Sequence, residues 1–275
     1  MPELPEVQTT VNGLQLIIKQ NITSIKVNTN KLRYLIPKNI NKIANNRKIL
    51  KIYRIAKYIL MDLTGNITLI IHLGMSGRIK LFKISDYKEN KHDHIVFHLN
   101  VNNILVFNDP RKFGFIDFTK TFNLDRYFIK LGPDPFNEKL NKNYLLNKFK
   151  NSKSSIKQIL LNQKIIAGIG NIYACEILFD AKISPFIPAN QLNITDIQIL
   201  LKSIRKIINK AIASSGTSIK DYVLIDGTLG NFQNKFKVYN KEGQKISKFK
   251  IIRVKQSGRS TFYCPELQKS KFNLK

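Results

Sequence analysis

Cysteine is scarce: the 275 residues hold two, Cys175 and Cys264. They lie far apart and form no CxxC pair, so a disulfide framework is excluded and a reducing location fits. No run of about 18 apolar residues exists, so no membrane-spanning helix is expected. A basic segment followed by an apolar run is missing near residue 1, so no secretory leader is expected either. The four histidines, His72, His92, His94 and His98, show no HExxH or similar ligand spacing. In a strand, residues 92, 94 and 98 share one face, and a solvated or phosphate-facing strand accounts for them better than a metal. Acidic residues are few: 18 Asp+Glu stand against 46 Lys+Arg, a net charge of +28. That imbalance points to a polyanionic partner, nucleic acid first and an anionic membrane surface second.

The length is sufficient for two domains with sizeable cores. Residues 3–19 read as a helix, with Val7, Val11, Leu14 and Ile18 on one apolar face. From about 23 to 119 the pattern is period two and β-branched. Eight strands are expected, over 23–28, 48–55, 58–63, 67–73, 77–82, 94–100, 104–108 and 113–119. Short strands with tight turns suggest an antiparallel sandwich or barrel. Leu131-Gly132-Pro133-Asp134-Pro135 stops regular structure and reads as a linker. Residues 136–213 are helical: Ser154 or Ser155 caps a helix to about Asn162, another covers 172–181, and a third spans 195–213 with Leu200, Ile204, Ile207 and Ala211 on one face. Residues 214–234 read as a long loop, and 235–275 return to short strands with a turn at Gly258. The fold class is therefore α+β.

Several stretches carry chemistry. If Met1 is removed from Met1-Pro2-Glu3-Leu4-Pro5-Glu6, Pro2 has a secondary amine at the chain end. Such an amine titrates near pH ~8, keeps a neutral fraction at pH 7, and can form a Schiff base. Glu3 and Glu6 put carboxylates beside it for proton transfer. The same residues also suit an ordinary helix start, with proline in the first turn and acids at the positive end of the dipole. Lys57, among apolar strand residues, is either a base with a lowered pKa or a snorkelling surface lysine. Asp109-Pro110-Arg111-Lys112-Phe113-Gly114 presents an arginine and an aromatic that can wedge into a base stack, or an exposed turn with a core Phe. Gly168-Ile169-Gly170-Asn171 opens a helix and suits a phosphate or a plain interhelical turn. Arg259, at a Gly-Arg hairpin tip, suits a phosphate clamp.

Together these pieces resemble the bacterial formamidopyrimidine-DNA glycosylase family, relatives of endonuclease VIII. The resemblance runs through Met1–Val7, Ala56-Lys57-Tyr58, His72–Gly77, Lys91–His94, Asp109–Gly114, Leu131–Pro135, Gly168–Ala174 and Arg259–Cys264, in the family's order. It implies an N-terminal helix and antiparallel β-sandwich (1–132), a helical domain with a helix–two-turns–helix motif and a lesion-capping loop at 216–226 (133–234), and a β-hairpin finger (235–275). It implies a monomer acting in the cytoplasm, on the nucleoid. The partner is damaged double-stranded DNA, in a basic cleft between the domains, with the damaged base flipped out. The implied reaction removes oxidised purines, 8-oxoguanine and formamidopyrimidines, and cleaves the abasic site by β,δ-elimination through a Schiff base. Pro2 is then the nucleophile, Glu3 the acid–base group, and Lys57 the lysine at the damaged site. Met75, Arg111 and Phe113 fill the vacated space. His92, Arg111 and Lys153 contact DNA, and Asn171, Tyr239 and Arg259 hold phosphates, with Arg259 counted in the catalytic set. Leu4 favours this branch over the endonuclease VIII type, which acts on oxidised pyrimidines. Pro2, Glu3 and Lys57 together argue against a non-catalytic DNA-binding protein. The finger departs from the family's pattern of four zinc cysteines: it keeps Cys264, and the other positions read as Ile246, Phe249 and Leu267. No zinc or other cofactor is expected, and a small apolar cluster is expected in its place.

Overall fold

Strand residues here must be covered on both faces. Along 58–63, Ile59, Met61 and Leu63 alternate with Leu60 and Asp62, so each apolar set needs its own partner. In the computed structural model, which describes residues 2–217 and 230–268, both sets are covered. The chain opens with α1 (Leu4–Leu14), a 3-10 turn at Gln15–Ile17 and β1 (Asn21–Val27). The helix is thus shorter than the expected 3–19: the turn tightens and Lys19, at φ 73°, ends it. A short α2 (Ile40–Ala44), not foreseen, precedes β2 (Arg47–Ile55), β3 (Tyr58–Leu63) and β4 (Ile67–His72). Next come β5 (Arg78–Lys83), β6 (Asp93–Leu99), β7 (Asn103–Asn108) and β8 (Phe115–Lys120). An unforeseen α3 (Leu124–Phe128) closes the segment.

The strands pair in the order β5-β7-β6-β1-β2-β3-β4-β8, every neighbour antiparallel. β1 meets β2 at only Asn21↔Lys48 and Ile22↔Arg47, so the ladder turns a corner there into two layers. Ile25, Ile95, Phe97 and Phe107 of one layer face Ile59, Met61, Leu69 and Ile71 of the other in a single core. α1 adds Val7, Val11 and Leu14 to it, and Ile18 packs at its margin. This is an antiparallel β-sandwich. The outward-facing Leu60 and Ile70 are covered by Leu124 and Phe128 of α3. That cover explains why β3 and β4 read as nearly unbroken apolar runs.

The structure divides into two compact units. The first joins the chain up to Ile129 with Ile212–Gln233, and the second joins Lys130–Ala211 with Asn234–Lys275. The second unit holds α4 (Lys142–Phe149), α5 (Ile156–Leu161), α6 (Asn171–Asp180) and most of α7 (Ile194–Ala213). Ser155 caps α5 through a capping box with Gln158. α7 buries Leu200, Ile204, Ile207 and Ala211, the face expected from their spacing. Two hairpins follow, β9 (Lys245–Ile246) with β10 (Phe249–Lys250) and β11 (Ile252–Gln256) with β12 (Arg259–Tyr263). The second turns through Ser257 and Gly258, at φ 49° and 76°. Two central residues with positive φ match the twist of a two-residue hairpin.

The finger has an apolar cluster, but its membership differs from expectation. Val238, Ile251 and Phe262 gather on Cys175 of α6, with Phe179, Tyr239 and Ile246 against them. Ile246 joins, whereas Phe249 and Leu267 do not belong to it. The two-residue β9–β10 ladder pairs Phe249 with Ile246. Instead, Lys248 lies over the Phe249 ring at 5.6 Å. Among the described residues, no helix is long and apolar enough to cross a membrane.

Candidate active site

Pro2 and Glu3 are both buried where α1 begins, Glu3 at 1% exposure. Glu6, one turn on and also buried, accepts the Glu3 N–H at 2.8 Å through Oε2. Its Oε1 accepts the Thr217 N–H at 2.8 Å, so one carboxylate joins the helix start to a distant loop stem. Gly216 sits against it at φ 71°, where an added Cβ would meet Glu6 Oε1 at 3.1 Å. The rest of the expected capping loop, from 218 to 226, lies outside the described residues, as does Met1.

Lys57 is half-buried in the tight β2–β3 turn, after Ala56 at φ 51°. Arg54 ties that turn to α1, with Nε donating to Gln8 Oε1 at 3.0 Å and Nη1 to the Ala56 carbonyl at 2.9 Å. Lys57 also reaches His72 electrostatically. Burial, then the charges of Lys57 and Arg33, bring the His72 pKa down to about 4. The Gly74 N–H donates to His72 Nδ1 at 3.0 Å, so the neutral ring carries its proton on Nε2. Phe115 stacks on the ring at 5.4 Å and 11°. This N–H donor, held neutral within a positive field, was not singled out from the sequence. The sequence showed it only as one of four histidines and as the start of the His72–Gly77 stretch.

His72, Arg33, Met75, Lys112 and Phe113 line one cavity of about 570 Å³. Two loops build it. Gly74, at φ 64°, passes so close to Phe113 that a Cβ would sit 2.3 Å from its backbone carbon. Asp109, fully buried, orders the other loop. Its Oδ1 accepts from Ser76 Oγ at 2.5 Å, its Oδ2 accepts the Gly114 N–H at 2.7 Å, and its carbonyl accepts the Lys112 N–H at 3.2 Å. The result is Met75 and Phe113 left 36% and 41% exposed, with the Arg111 guanidinium 4.8 Å over the Phe113 ring. The expected trio is therefore brought together, by an aspartate that sequence reading had noted only as part of the motif.

The histidines separate. His92 is half-buried at the edge of β6. His94 is buried, and its Nε2–H donates to the Asp109 carbonyl at 2.9 Å. The shared solvated or phosphate-facing strand is thus corrected: a register irregularity between Asp93 and Ile95 re-aims His94 inward. Burial lowers its pKa, and the hydrogen bond opposes that.

In the second unit, Asn171 begins α6, and its Nδ2 donates to the Ser260 carbonyl at 2.9 Å, one residue from exposed Arg259. Asn171 Oδ1 is buried with no hydrogen-bond partner among the described residues. Lys157, buried and missed from sequence, donates through Nζ to the same carbonyl at 3.1 Å and to Thr261 Oγ1 at 2.7 Å. Tyr239 packs on Phe262 at 4.9 Å. Its loop is held by Glu176 of α6, which accepts the N–H groups of Lys237, Val238 and Tyr239 at 2.8–2.9 Å. Burial pushes the Glu176 carboxyl up, against those three donors. Lys153 is exposed just before α5.

The finger does not fit a zinc site. Residues 235–275 contain one cysteine, Cys264, no histidine, and two acids, Glu242 and Glu266. A structural site needs four ligands. Among the described residues, no group of three or more His, Cys, Asp or Glu could hold a metal. Cys264 is buried, with its thiol 3.7 Å from the Glu266 carboxylate, and burial raises its pKa.

Comparison with known proteins agrees across the chain. Residues 1–116 match the model of the formamidopyrimidine-DNA glycosylase N-terminal domain, and residues 131–223 match that of its H2TH domain. The formamidopyrimidine-DNA glycosylase of Zymomonas mobilis is 44% identical, over 98% of this chain and all of its own. A Lactococcus lactis Fpg variant, solved in complex with Fapy-dG-containing DNA, superposes with a TM-score of 0.91 at 35% identity, covering 98% of this chain and 100% of that one. The same enzyme with abasic-site DNA gives 0.91 at 34%, with the same coverage.

Proposed function

The chain belongs to the formamidopyrimidine-DNA glycosylase family, and from that premise we propose that it excises oxidised purines through its own Pro2, as a monomer on the bacterial nucleoid. It is a bifunctional DNA glycosylase and abasic-site lyase. The observation that carries the assignment of the chemistry is the buried pair Pro2 and Glu3 at the start of α1, with Glu6 holding the Glu3 backbone.

Once Met1 is removed, the Pro2 nitrogen attacks C1′ of the flipped nucleotide. The glycosidic electron pair leaves with the base, which takes a proton from the site. Glu3 moves protons at the opening sugar, and an iminium forms between Pro2 and C1′. That cation acidifies C2′, which gives a proton to a base in the site as the C3′–O bond breaks; the new C2′–C3′ double bond extends the acidity to C4′, which gives up a second proton as the C5′–O bond breaks, each phosphate leaving with its bonding pair. Lys57 and the His72 Nε2–H supply positive charge and a donor for the phosphate beside the lesion. Met75, Arg111 and Phe113 fill the space that the base vacates, and His92 contacts the DNA. In the second unit, Arg259, Tyr239 and the second N–H of Asn171 Nδ2 bind phosphates, and Lys153 adds a general contact. The finger holds its shape without zinc.

Borohydride trapping tests this reading on duplexes carrying 8-oxoguanine, thymine glycol or an abasic site. The protein is expected to trap on 8-oxoguanine and abasic DNA, and Pro2→Gly is expected to trap on neither while keeping salt-sensitive binding. Full trapping by a protein with Met1 intact would remove Pro2 from its role.

A further inference from the structure

Arg259 stands at the tip of a hairpin whose own strands are five residues each, in a finger where, among the described residues, no group of three or more His, Cys, Asp or Glu could hold a metal. A long side chain on so small a hairpin needs an external reference to point the same way in every molecule. The structure has one, built from side chains of α5 and of the hairpin. Gln256, paired with Arg259 across the turn, donates through Nε2 to Ser155 Oγ at 2.9 Å and to the Pro185 carbonyl at 3.1 Å. Its Oε1 accepts from Thr261 Oγ1 at 3.0 Å, the hydroxyl that also receives Lys157 Nζ. From the other side, Gln158 Nε2 donates to Ser257 Oγ, inside the turn, at 2.6 Å. The same Gln158 uses Oε1 to accept the Ser155 N–H at 3.1 Å and so completes the α5 cap. Cap and turn therefore share two glutamines, and Gln256, before the turn, and Ser257, within it, are both tied to one helix end.

We propose that Gln158 and Gln256 are positioning residues for Arg259: through Ser257 and Ser155 they clasp the hairpin tip to α5 and supply the orientation that metal ligation would give a finger with four cysteines. The proposal rests on the reading of Arg259 as a phosphate ligand. It explains why a hairpin with no ligand set still presents a charged tip in a defined place. The clasp is made of neutral hydrogen bonds, several of them at exposed positions, so each bond is weak alone and the set acts by geometry.

The test uses the full-length protein on an 8-oxoguanine duplex, reading KM and kcat under single-turnover and steady-state conditions across a salt series. Gln256→Ala breaks three bonds. Ser257→Gly removes one hydroxyl while relieving a positive-φ residue, so it leaves the fold intact even if Gln256→Ala does not. Both are expected to raise KM about tenfold, the size of one lost charge-assisted contact. Both are expected to lower the salt slope by about one, as Arg259→Ala does. Added to Arg259→Ala, neither variant is expected to cost more. Gln158→Glu keeps the cap and can accept from Ser257 Oγ, so it is expected to retain near wild-type KM. An unchanged salt slope in the clasp variants, or losses that add fully to those of Arg259→Ala, would overturn the clasp alone. An Arg259→Ala protein with wild-type binding would overturn the phosphate assignment, and the clasp with it.

Discussion

His72 shows how one side chain acquires a role from its surroundings. A histidine in water is half protonated near pH 6.5. This one is pushed down to about 4 by burial and by Lys57 and Arg33, so it is a neutral donor across the physiological range. Between pH 6.5 and 4 the unfolded chain binds a proton at this position and the native one does not. Stability from this residue is therefore complete above pH 6.5 and falls with pH through that window, by roughly 3 kcal/mol in all. We expect the His72 ring resonance to titrate near pH 4, and His72→Gln to flatten acid unfolding over the same window. A ring titrating near 6.5 would place it in solvent. Glu3 yields a second prediction at this scale. Glu3→Gln should lose base excision far more than cleavage of a preformed abasic site, because that substrate has no base to expel. Parallel assays on 8-oxoguanine and abasic duplexes read the difference.

At the scale of elements, the sandwich holds the loops that present Met75, Arg111 and Phe113. Asp109 is the clearest case: buried, it receives the Ser76 hydroxyl and the Gly114 N–H, so Asp109→Ala strands a buried donor. The cost is about 1–3 kcal/mol in stability. Loss of damage-specific binding should exceed what that cost accounts for, since Arg111 and Phe113 lose their frame. Denaturant midpoints and duplex titrations measure the two separately. Arg111→Ala and Phe113→Ala should weaken binding to damaged duplex more than to intact duplex. Lys153→Ala should weaken both alike and reduce the salt slope by about one. If all three behave alike, the loop is a general contact and not a wedge.

At the scale of the whole molecule, a net charge of +28 suits a DNA partner, and residues 235–275 offer a metal one cysteine and no histidine. Elemental analysis of the purified protein should find no stoichiometric zinc, and chelator should leave melting temperature and trapping unchanged. Zinc lost together with activity would reverse this. The Val238–Ile251–Phe262 cluster is then the finger's main support, and Ile251→Ala, at a fully packed position, should cost about 2–5 kcal/mol of stability in its unit.

The sequence by itself determined the eight strands, the capped α5 and the buried face of α7. These depend on period, turn residues and motif order, which are local properties of the chain. It did not disclose α2 and α3, because five-residue helices have too little periodicity to register and form only where a sheet face needs cover. The inward turn of His94, the depressed pKa of His72, the frame around Asp109 and the grip of Lys157, Gln158 and Gln256 on the hairpin were decided only by tertiary structure. Each depends on which groups from distant stretches of chain come within hydrogen-bond or Coulomb range. Burial then sets the strength of each interaction, and no local pattern encodes it.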